Sequence, residues 1–201
     1  MSPAATLGTV LLAYLPAAVS PGPNFVLIAH TAAAGTRRAA VAVALGVVAA
    51  GGVLAAVAVF GLGAVLAREP WLATALRIVC GAYLAWLGLK LWLKARAPDA
   101  APPTKHGSAF RQGVLSNLTN PKAAAFFGSV LTATLPPTEP AAVKAAAVAL
   151  IVVASTAWHL SVALLFSAPA TQRWYEHAKP ALNRTVGTVL VVLGITLAVT
   201  P

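Results

Sequence analysis

Two short polar segments stand inside otherwise apolar chain. The first is Ser20-Pro21-Gly22-Pro23-Asn24 and the second Asn117-Leu118-Thr119-Asn120-Pro121-Lys122, and apolar runs from Phe25 to Ala29 and from Ala123 to Val130 follow them. Pro21 and Pro23 each remove a backbone donor and Gly22 admits unusual dihedrals, so a continuous helix does not pass through the first segment. Pro121 suits the first position of a new helix with Asn120 as its cap, and Pro23 suits the same position after the first break.

A half-helix that starts inside a bilayer presents unsatisfied N–H groups and the positive end of its dipole, which together suit a carboxylate or another anion. Lys122 adds a full charge. A zwitterion also needs acceptors for its ammonium, and the loosened carbonyls from Ser20 to Gly22 offer them, as do the amide oxygens of Asn24, Asn117 and Asn120. On this reading Asn24, Asn117, Asn120 and Lys122 contact substrate, while Pro21, Gly22, Pro23 and Pro121 shape the breaks. The plain alternative is a pair of proline kinks that bind nothing, with Lys122 snorkelling to the cytoplasmic surface. The same device at matching places along the chain favours a site.

The surrounding chain must be membrane helix. With 201 residues, 59% hydrophobic and 9% charged, it has too few polar side chains to cover a soluble globule. At about 20 apolar residues per crossing, spans fall near 7–32, 39–66, 71–93, 113–135, 141–167 and 183–200. The predicted fold class is therefore an all-α integral membrane protein of about six transmembrane helices, the first and fourth broken. Residues 1–93 form a first three-helix repeat, 94–112 a cytoplasmic loop and 113–201 a second repeat. Because three crossings invert the second copy, the two repeats take opposite orientations in the membrane.

The net charge of +10 is topological. Arg37, Arg38, Lys90, Lys94, Arg96, Lys105, Arg111, Arg173, Lys179 and Arg184 fall on the odd loops or the helix ends beside them, against Arg68, Arg77 and Lys144 on the other side. That bias makes the odd loops cytoplasmic and both termini extracytoplasmic. No nucleic-acid-binding pattern accompanies the basic residues. Ala18-Val19-Ser20 resembles a cleavage site, but no Lys or Arg precedes Arg37, so the first apolar segment reads as retained helix and not as a signal peptide.

The remaining residues narrow the chemistry. Glu69, Asp99, Glu139 and Glu176 all fall in predicted loops, leaving no embedded carboxylate as a proton relay. His159, midway along the fifth span, and His30, near the end of the first, are the titratable candidates for proton coupling, against a hydrogen-bonded structural role for each. Arg38, with Arg37, anchors the second helix or contributes a gating contact. Cys80 is the sole cysteine and reads as a buried thiol, which leaves neither a disulfide framework nor a thiolate metal cluster. Gly46, Gly51, Gly52, Gly61 and Gly63 in the second span permit close helix approach and would allow a homodimer.

Several blocks in order resemble the signature of LysE/RhtB-type translocators. They are Pro21-Gly22-Pro23-Asn24, Gly35-Thr36-Arg37-Arg38 with Ala44-Leu45-Gly46, Gly81-Ala82-Tyr83-Leu84-Ala85-Trp86-Leu87-Gly88, and the run from Phe110 through Gly113, Asn117, Asn120-Pro121-Lys122 to Phe126-Phe127. The resemblance covers essentially the whole chain. It implies a secondary transporter in the bacterial inner membrane that exports amino acids or close derivatives. It further implies that the proton gradient or membrane potential drives export without a cofactor, and that the two breaks line the path. Many relatives carry aspartate where this chain has Asn24, so an acidic ammonium partner is missing there.

Two further readings of function stand beside it: transport of another small anionic or zwitterionic metabolite, and a non-transporting structural protein. A membrane enzyme would need a nucleophile, an acid–base pair or paired cysteines within the spans, and none is present. Metal transport is disfavoured by the lack of intramembrane carboxylates and His-rich loops.

Overall fold

The computed structural model describes residues 2–62, 65, 68–95, 108–136 and 138–199. Among these residues every regular element is helical. Asp99, Arg96 and Lys105 of the predicted loop lie outside them.

Helix α1, Pro3–Val19, starts at Ser2, whose side chain accepts from the Ala5 amide, and it stops at the first polar segment. The backbone accounting there explains the stop. Pro21 has no N–H for the Ala17 carbonyl, and the Ser20 hydroxyl donates to that carbonyl at 2.9 Å instead. Gly22 is extended, Pro23 opens helix α2, Pro23–Ala34, and the two helices meet at a bend of 54°.

Thr36 caps helix α3 by accepting from the Ala39 amide. α3 runs over Arg37–Ala56 and continues through a π-helical turn at Val57–Leu62. Helix α4 spans Pro70–Leu93. The second polar segment separates helix α5, Ala109–Leu118, from α6, which begins at Pro121–Ala125, widens into a π-helical turn at Phe126–Val130 and ends at Leu131–Thr134. Pro121 leaves the Asn117 carbonyl without its helical donor, and the Asn120 amide fills that place at 3.1 Å. Helix α7 covers Ala141–Leu165 and helix α8 Pro169–Val199.

α8 corrects the sequence reading. Arg173, Glu176, Lys179 and Arg184 were expected in a loop or at its edge, but all lie within this one 31-residue helix. At 1.5 Å per residue it is about 46 Å long, so it outreaches an apolar layer of about 30 Å. Its first turns are polar for that reason, and average hydropathy there reads as loop. Helical spacing still shows, because Tyr175, Lys179, Asn183 and Val186 are buried along one face.

Among the described residues four helices are long and apolar enough to cross a membrane, or five when α1 and α2 count as one bent span. This is a multi-pass, all-helical membrane protein. In lipid, apolar burial drives helix association weakly, and close packing does more. α3 is the most enclosed of the long helices and packs on α5 and α7. A Cβ on Gly113 would strike the Val43 carbonyl, and one on Gly46 the Phe110 carbonyl. α4 and α8 pack mainly on each other, with Gly81 facing Gly194 and Gly88 facing Gly187 in antiparallel register. Cys80 is buried beside this seam, as expected.

Candidate functional site

The two breaks meet. Lys122, in the first turn of α6, extends its ammonium to the end of α1, where Nζ donates to the Ser20 carbonyl at 2.9 Å and to Ser20 Oγ at 2.7 Å. Asn24, in the first turn of α2, lies against the end of α5. Its Nδ2 donates to Asn117 Oδ1 at 2.9 Å, and its Oδ1 accepts from Ser116 Oγ at 2.8 Å. Asn117 Nδ2 then donates to the Val47 carbonyl on α3 at 2.8 Å. Each half-helix start is thus pinned to the half-helix end of the other pair.

A cavity lies at this junction, lined by residues of α1, α2, α3, α5, α6 and α7. Its polar wall holds Ser20, Asn24, Asn117, Asn120, Lys122, Ser155 and His159. Tyr14, Phe25, Phe126 and Phe127 form the aromatic wall, with Tyr14 edge-on to Phe126 at 5.5 Å between centroids. The widened turn of α6 carries Phe126 and Phe127; π-helical turns recur at functional sites.

Two groups in this wall are chemically unspent. Asn120 is 2% exposed, its Oδ1 accepts from the Lys122 amide as a helix cap, and its Nδ2 has no partner. A buried amide donor without an acceptor costs about 1–3 kcal/mol, so this donor is free to pair with an acceptor that enters the cavity. The Lys122 ammonium is the second. Its partners are a neutral carbonyl and a neutral hydroxyl, and among the described residues no carboxylate meets it.

His159 is buried on α7, with Nδ1 2.9 Å from the Ser155 carbonyl and 3.1 Å from Ser155 Oγ. His30 and Arg38 are exposed and line no part of the cavity. The structure therefore gathers Asn24, Asn117, Asn120, Lys122 and His159 and leaves the other two apart. Pro21, Gly22, Pro23 and Pro121 stand at the two breaks; a Cβ on Gly22 would stand 3.0 Å from Lys122 Nζ. Sequence reasoning passed over Tyr14, Ser116 and Ser155. Only Ser155 had a usable signal, its four-residue spacing from His159 on one helix face.

Broken helices that meet at a polar cavity within a bundle of membrane helices define the membrane-transport class of protein. The family model described as LysE type translocator matches residues 15–200, and the chain belongs to that family. It is 33% identical over 198 residues to the threonine efflux protein of Salmonella typhi, covering 95% of this chain and 96% of that one. The threonine efflux protein of Escherichia coli K12 is 32% identical over the same span and shares. A homoserine/homoserine lactone efflux protein of Salmonella typhimurium is 30% identical over 146 residues, 69% of each chain. No solved structure matches this chain.

Proposed function

We propose that this protein is a secondary exporter of amino acids or close derivatives across the bacterial inner membrane. The observation that carries the reading is the Asn120 Nδ2 donor without a partner beside the uncountered Lys122 ammonium, both in the wall of one cavity. Two donors, one of them charged, suit a carboxylate, and the start of α6 adds its dipole. The Ser20 carbonyl, now held by Lys122, receives the substrate ammonium once the carboxylate has drawn Lys122 away. Asn24 and Asn117 hold the two pairs in register around the bound molecule. The names of the relatives put threonine and homoserine first among the substrates to test.

In this reading the chain crosses the membrane six times, with α5 and α6 as a second broken span. Two inverted repeats follow: α1–α2, α3 and α4, then α5–α6, α7 and α8. The packing supports them, since α3 lies on α5 as α7 lies on α1, while α3–α7 and α4–α8 pair each helix with its own counterpart. The basic bias puts both termini outside, and rocking of one repeat against the other moves the cavity between the two faces.

The test is efflux of preloaded threonine and homoserine from cells that carry the intact protein or its Lys122→Ala form at equal membrane level. Efflux from the intact form at least about tenfold above the variant supports the carboxylate site, as expected for loss of a charge-assisted contact of about 1.5–3 kcal/mol. Equal efflux removes Lys122 from the mechanism.

A further inference from the structure

We infer that His159 is the specificity-determining residue of the cavity. Its Nε2 accepts a hydrogen bond from the side-chain hydroxyl of a short hydroxy amino acid. The inference rests on the exporter reading and goes further, because it assigns the substrate side chain to one atom.

The argument begins with the ring's other nitrogen. Nδ1 lies 2.9 Å from the Ser155 carbonyl, and a carbonyl only accepts, so the Nδ1 proton points at it. A buried ring in a cavity that already holds the Lys122 ammonium is neutral, since a second uncompensated charge there is costly. Ser155 Oγ also lies 3.1 Å from Nδ1, but the shorter contact is to the carbonyl, so the geometry favours the tautomer with the proton on Nδ1 and a lone pair on Nε2. Among the described residues nothing donates to Nε2. His159 is 6% exposed and lines the cavity, so the acceptor is satisfied only by what the cavity holds.

The other polar groups of an amino acid have partners elsewhere. Asn120 and Lys122 take the carboxylate and the Ser20 carbonyl takes the ammonium, all at the two helix breaks. His159 stands on α7, which carries neither break, and is left for the side chain. Tyr14, Phe126 and Phe127 enclose the same space largely with aromatic surface, Phe126 and Phe127 meeting edge-on at 5.3 Å, which favours a short, mostly apolar side chain. A short side chain ending in a hydroxyl supplies both the apolar contact and the missing proton.

Threonine and valine differ by a hydroxyl in place of a methyl, which makes them the probe pair. Initial efflux rates of each are measured from preloaded cells carrying the intact, His159→Leu or His159→Gln form at equal membrane level. Ligand-induced shifts in melting temperature are measured on the same purified proteins.

The expected result is a preference for threonine of at least about tenfold in the intact protein. It falls toward one in His159→Leu and is partly kept in His159→Gln, whose amide oxygen also accepts. In the thermal assay, which needs no turnover, threonine raises the melting temperature of the intact protein more than valine does, and His159→Leu loses that difference. A preference unchanged in His159→Leu overturns the inference, as do equal thermal shifts from the two ligands in the intact protein. If the intact protein moves and binds neither, this inference falls, while the exporter reading falls only if other amino acids also fail to move. If it moves both equally, only the role of His159 falls.

Discussion

Lys122 Nζ and the Ser20 carbonyl, 2.9 Å apart, join the start of one half-helix to the end of another across 102 positions of chain. The carbonyl is available because the α1 helix ends at Ser20, and the ammonium is present because Lys122 follows the proline that opens α6. One contact therefore joins the two breaks and depends on both. In the proposed mechanism substrate replaces it.

Asn120 caps α6 through Oδ1 and, in the proposed site, meets substrate through Nδ2, and substitution separates the two roles. Asn120→Asp keeps an oxygen to cap α6 through the Lys122 amide but loses the Nδ2 donor and sets a carboxylate against the incoming substrate carboxylate. Efflux is expected to fall at least about tenfold while the melting temperature holds. Asn120→Ala also loses the cap, which costs about 0.5–2 kcal/mol, so both efflux and melting temperature drop. Normal efflux by the Asp form contradicts the carboxylate site.

Lys122→Met is expected to abolish most efflux without lowering thermal stability. It removes a half-buried charge that has only neutral partners, and relief of desolvation offsets the lost contacts to Ser20. Melting of the purified variant alongside the efflux assay checks this. A large loss of stability would make Lys122 a structural brace first.

Ser20→Ala leaves the backbone carbonyl to hold Lys122 but takes away the hydroxyl that satisfies the Ala17 carbonyl. A cost of about 0.5–1.5 kcal/mol in stability is expected, with efflux reduced several-fold and not lost. Chemical or thermal denaturation in detergent reads it.

Packing between α3 and α5 has no room for a methyl at Gly113, since its Cβ would strike the Val43 carbonyl. Gly113→Ala should cost about 1–3 kcal/mol and lower efflux by moving Asn117 away from Asn24. Gly8→Ala is the control, because a Cβ there meets nothing within 4 Å. Equal melting of the two variants would show that the helices simply separate at little cost.

Orientation is tested by labelling in a Cys80→Ala background. A cysteine placed at Ser2 should react with an impermeant maleimide from the periplasmic side, and one placed at Lys94 only after the membrane is opened. The reverse pattern would invert the proposed topology while leaving the cavity unchanged.

Membrane class, the two breaks and the residues that start each half-helix were legible in the sequence for a physical reason. Solvation by lipid demands long apolar runs, and proline acts on its own backbone wherever the chain goes, so both signals are local. The Asn120 cap and the Pro23 start follow from the same local chemistry. The beginning of α8 was not legible, because a helix that leaves the apolar layer loses the hydropathy that marks it; burial of Lys179 and Asn183 is set by neighbouring helices. Nor did spacing reveal which partners the polar residues choose. Tertiary structure alone decided that Lys122 holds Ser20, that Asn24 holds Asn117, that Asn120 keeps one donor unspent, and that His159 joins the cavity while His30 and Arg38 do not. These are contacts between segments dozens of residues apart, fixed by how bare glycine surfaces let the helices approach.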